Sequence, residues 1–96
     1  MGSESFSHQA EGKSAKDAFQ KARKQALYDR GHDGYTGTIA EKDAFIMIEL
    51  PKGQEAEAYA DKLIDEADKR IDDKWGPAGC IQIKKNLYLF FGWASS

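Results

Sequence analysis

Residues 87–93 read Leu-Tyr-Leu-Phe-Phe-Gly-Trp, seven positions without a charge. Drawn as a strand, they put Leu87, Leu89, Phe91 and Trp93 on one face and Tyr88, Phe90 and Gly92 on the other. Residues 44–50 do much the same, with Ala44, Ile46, Ile48 and Leu50 opposite Phe45, Met47 and Glu49. An antiparallel sheet wetted on one side alternates apolar and polar residues. Strands apolar on both faces therefore require cover on both faces, and this requirement limits the architectures open to the chain.

Two helical patterns supply cover. Ala15, Ala18, Phe19, Ala22 and Ala26 recur at helical spacing behind Ser14-Ala15-Lys16-Asp17, which has the form of a capping box, and Gly31 follows as a stop. The spacing predicts a helix over 15–30. After Pro51-Lys52-Gly53, the stripe Ala56, Tyr59, Ala60, Leu63, Ala67 and Ile71 predicts a second helix, ended by Trp75, Gly76 and Pro77. Strands are expected over 36–42, 44–50, 80–84 and 87–93. Their short spacings demand antiparallel hairpins. Residues 1–13 are polar and aperiodic, so they read as a disordered tail ahead of one domain over 14–96.

The order is then α-β-β-α-β-β, an αββ unit used twice, over 14–50 and 53–95. Residues 34–39 align with 76–81, Lys42 with Lys84, Phe45 with Leu87 and Met47 with Leu89. The expected fold class is α+β, a two-layer sandwich: a four-stranded antiparallel sheet with two helices on one face. The uncovered face then needs a partner; spacing leaves open which parity faces the helices, and Ile46, Ile48, Tyr88 and Phe90 are the expected interface residues in a homo-oligomer, whichever of them lie on the open face.

Composition narrows the partners. In 96 residues, 14 basic against 16 acidic side chains leave a net charge of −2, which argues against a generic nucleic-acid or anionic-membrane binder. No apolar run reaches the roughly 20 residues of a membrane helix. The lone Cys80 forms no internal disulfide or cysteine metal cluster. A free thiol and no signal-peptide pattern fit the cytoplasm.

The stretch Gly31-His32-Asp33-Gly34-Tyr35-Thr36-Gly37-Thr38-Ile39-Ala40-Glu41-Lys42, together with Lys74-Trp75-Gly76-Pro77-Ala78-Gly79-Cys80 and Tyr88-Leu89-Phe90-Phe91-Gly92-Trp93-Ala94, resembles small uncharacterised proteins of bacteriophages and other mobile elements. The resemblance implies an accessory protein and no particular chemistry.

The loop over 31–38 is the richest local feature. Its glycines admit close approach of an anion, and its hydroxyls add donors. His32, Asp33, Tyr35, Thr36 and Thr38, with Lys42 beyond, form the expected small-ligand or nucleotide site. It follows a helix and precedes a strand, so it is neither a P-loop nor a dinucleotide fingerprint. His32 and Asp33 lack a neighbouring nucleophile and are too few to hold a metal. Cys80 reads as core. Glu57, Asp61, Asp65, Asp68 and Asp72 make an acidic stripe on the second helix, which suits either a solvated face or a DNA mimic that inhibits a host nuclease. The sequence thus points to a small non-enzymatic binding protein, homo-oligomeric, without cofactor or metal. Its expected partners are another protein or a small anionic ligand.

Overall fold

A computed structural model describes residues 3–30 and 38–95. In chain order the elements are β1 (Ser3–Glu11), α1 (Ala15–Arg30), a 3₁₀ turn (Ile39–Glu41), β2 (Phe45–Met47), α2 (Ala56–Asp65), β3 (Ala78–Lys84) and β4 (Leu87–Ser95). The strands form one sheet in the order β1-β4-β3-β2. Both β1 and β3 run antiparallel to β4, while β2 runs parallel to β3. The α+β class and a four-stranded, mostly antiparallel sheet agree with the sequence. The element order and the helix placement do not.

The segment read as a disordered tail is strand β1, paired with β4 at every position from Ser3↔Ser95 to Glu11↔Leu87. It alternates half-buried Phe6, His8 and Ala10 with exposed Ser5, Ser7 and Gln9. That is a period-2 pattern in which Phe6 is the one strongly apolar residue. The strand expected over 36–42 does not form within the described part of that span. Ile39 and Ala40 are consecutive yet both pack into the same core under α1, whereas consecutive residues of a strand face opposite sides. The Thr38 hydroxyl accepts from the Ala40 N–H at 3.2 Å and starts a 3₁₀ turn instead. With no strand there, β2 has no hairpin partner and pairs with β3. The long β2–α2–β3 connection makes a parallel pair possible.

Each helix covers its own face. Ala18, Phe19, Ala22 and Ala26 of α1 pack with Ala78, Cys80, Tyr88 and Phe90. Ala56, Ala60, Leu63 and Ile64 of α2 pack with Ile81, Leu89 and Phe91. The two sets have opposite parity on β3 and β4, so two cores lie back to back across the sheet. The expected placement of both helices on one face is therefore corrected. Topology supplies the reason. β1, β2 and β3 all run one way, and the crossover β1→α1→β2 traverses the sheet towards β2 while β2→α2→β3 comes back. Crossovers of one hand travelling in opposite directions lie on opposite faces. Sequential αββ units do not describe this arrangement.

Two glycines on the inner strands have steric reasons. A Cβ on Gly79 would lie 2.7 Å from Phe91 Cζ and 3.0 Å from Ile48 Cδ1 and Ile71 Cγ2. Gly92 has φ +147°, outside the range side chains favour.

Candidate functional site

Most of the expected ligand loop, including His32, Asp33, Tyr35 and Thr36, lies outside the described residues. Thr38 is described and uses its hydroxyl as a cap. Lys42 is corrected from ligand contact to structural support. It is 1% exposed, and its Nζ donates to the carbonyls of Asp73 (3.2 Å), Lys74 (3.3 Å) and Gly76 (2.9 Å). An ammonium has three N–H donors, so none remains for a ligand. Burial lowers its pKa from the ordinary lysine value, against the opposing pull of Asp73.

The expected interface residues are corrected likewise. Ile48, Tyr88 and Phe90 are buried within the chain and Ile46 is half-buried. Tyr88 and Phe90 face α1 and the isoleucines face α2, so these residues do not share a face. The acidic stripe keeps helical spacing only to Asp65, where α2 ends. Beyond it Asp68 chelates Arg70, and within it Glu57 accepts from Gln9 at 3.2 Å. The Arg70 guanidinium beside Asp68 holds that carboxyl below the usual range. Cys80 is core as expected, and burial pushes its thiol up to about 12, which removes it as a nucleophile near neutral pH.

A cleft of about 340 Å³ opens between α1 and the start of β2, lined by Lys16, Phe19, Gln20, Arg23, Asp43, Ala44 and Phe45. Its α1 residues sit at i, i+3, i+4 and i+7, on one face of the helix. Phe19 and Phe45 form the apolar wall, with ring centroids 4.9 Å apart, and Phe90 backs both at 5.4 and 5.7 Å. Arg23 stacks over Phe19 with its Cζ 6.0 Å from the ring centroid. One terminal nitrogen, Nη2, donates to the Ala40 carbonyl at 3.3 Å and lies 3.9 Å from the fully exposed Asp43 carboxylate. Its Nε is buried without a hydrogen-bond partner. A stacked, half-covered guanidinium with an unmet donor is a charge held in place beside an aromatic surface.

Sequence reasoning placed Phe19 in a core stripe and passed over Arg23 and Phe45 as site residues. The available signal was a cation four residues after the one aromatic in an alanine stripe. Among the described residues, no group of three or more His, Cys, Asp or Glu could hold a metal ion, and no helix is long and apolar enough to cross a membrane. No protein-family model matches the chain, and neither a curated protein nor a solved structure does. The resemblance to phage and mobile-element proteins therefore rests on the quoted residues alone.

Proposed function

We propose that the chain is a non-enzymatic binding protein whose α1–β2 cleft takes a small apolar ligand bearing a carboxylate. The observation that carries this reading is the Arg23 guanidinium, stacked over Phe19 and about one-third exposed on a cleft walled by Phe19 and Phe45. The exposed part of that guanidinium offers charge-assisted N–H donors to a carboxylate, while the ligand's apolar body covers the rings. The cleft volume is in the range of small-ligand sites. Lys16 adds a second cation on the rim. The reading keeps the small anionic ligand expected from sequence and moves its site from residues 31–38 to α1.

Thermal shift tests it with phenylacetate against its neutral isostere phenylacetamide, since a ligand of the native state raises Tm by mass action. Phenylacetate is expected to raise Tm more than the amide. Arg23→Gln should weaken phenylacetate at least about tenfold and erase the preference, because a charge-assisted hydrogen bond is lost. Equal shifts by acid and amide, or no shift by either, would refute the proposal.

A further inference from the structure

We propose that a second copy of the chain docks along β1, antiparallel and centred on Ser7, and joins two sheets into one. The inference does not depend on the α1–β2 cleft.

β1 is an edge strand, and its pairing with β4 runs through nine positions without a register shift. The Gly12 N–H donates to the Asn86 carbonyl at 3.0 Å, immediately beyond that register. Backbone groups alternate sides along a strand. Ala10, His8, Phe6 and Glu4 therefore direct their N–H and C=O groups to β4. Ser3, Ser5, Ser7, Gln9 and Glu11 direct theirs outward, where no strand among the described residues meets them. Natural edges this long are blunted by charged side chains, lysine above all, by proline, by a bulge or by a covering segment. The strand Ser-Glu-Ser-Phe-Ser-His-Gln-Ala-Glu has no proline, lysine or bulge, and its two charges, Glu4 and Glu11, lie near its ends. The opposite edge, β2, is only three residues long.

A two-fold axis at Ser7 sets Ser7 against Ser7, Ser5 against Gln9 and Ser3 against Glu11. Each of these residues then exchanges both outward backbone groups with its opposite number. On the α1 side Phe6 meets His8 and Glu4 meets Ala10. No carboxylate opposes another, because Glu4 and Glu11 differ in parity and lie on opposite faces. Extending the sheet also continues each helix layer across the axis. The pairing consumes the long edge of both copies, so the assembly closes as a dimer.

The experiment is sedimentation or light scattering on the full chain at sub-millimolar concentration. The expected mass is twice 10.7 kDa. Ser7→Pro removes an N–H that points away from β4, a position where an edge strand tolerates proline. It should halve the mass and retain the far-ultraviolet spectrum. Ser7→Cys gives an independent readout: under oxidised glutathione it should form a cross-linked dimer, whereas Ser5→Cys, offset across the axis, should not. Cys80 is buried and does not compete. A wild-type chain of single mass, a dimer indifferent to Ser7→Pro, or cross-linking through Ser5→Cys in place of Ser7→Cys would overturn the proposal. The last two outcomes would place the contact elsewhere or in another register.

Discussion

The ammonium of Lys42 donates to three carbonyls of a single turn, residues 73–76, from the end of the 3₁₀ segment. That turn otherwise holds itself by short bonds, such as Trp75 N–H to the Asp73 carboxylate at 2.8 Å and Gly76 N–H to the Asp73 carbonyl at 2.9 Å. Lys42 thus ties the turn before β3 to the α1 side of the molecule. Lys42→Met keeps most of the aliphatic stem and strips the donors. It should cost about 1–3 kcal/mol, lowering Tm by roughly 5–20 °C in a calorimetric scan. The linkage has a definite sign. Burial lowers the folded-state pKa, so the unfolded chain binds the proton more tightly. The stability of the wild type relative to Lys42→Met should rise with pH from the folded-state pKa towards the ordinary value of 10.5.

At the scale of elements, α2 is shorter than its stripe suggests. It closes in a Schellman motif: Asp68 N–H reaches the Leu63 carbonyl at 3.0 Å and Ala67 N–H the Ile64 carbonyl at 3.1 Å. This places Ala67 in the left-handed region, at φ 51°, where alanine pays a steric penalty. The chain goes on as turns, yet Ile71 still arrives in the core at 1% exposure. The stripe therefore identified the buried residue and misjudged the backbone that delivers it. Ala67 is exposed, so its methyl contributes little packing. Ala67→Gly should raise stability by about 0.5–1 kcal/mol in denaturant titration. A loss of stability would mean that the helix continues through Ala67.

At the scale of the molecule, β4 is the central element, flanked by β1 and β3 and covered by α1 on one face and α2 on the other. Removing residues 1–11 would open the β1 side of β4 and take Phe6 and Ala10 out of the α1 core. The truncated chain should lose its cooperative melting transition by circular dichroism. A disordered tail would instead leave Tm unchanged.

The sequence alone determined that residues 87–93 are buried on both faces, that 15–30 form a helix, that Cys80 belongs to the core and that the class is α+β. Each is written in local periodicity, which reads burial directly. Tertiary structure decided what covers the second face. Periodicity fixes which side of a strand is apolar but carries no information on where a helix travels between strands. A single chain can split its helices across a sheet or leave one face to a partner with the same pattern of residues. β1 stayed hidden because its strand character comes from pairing with β4, not from its own serines, glutamine and glutamates. Arg23 and Phe45 stayed hidden for a related reason: they are 22 positions apart, and only the packing of α1 on β2 brings them to one cleft.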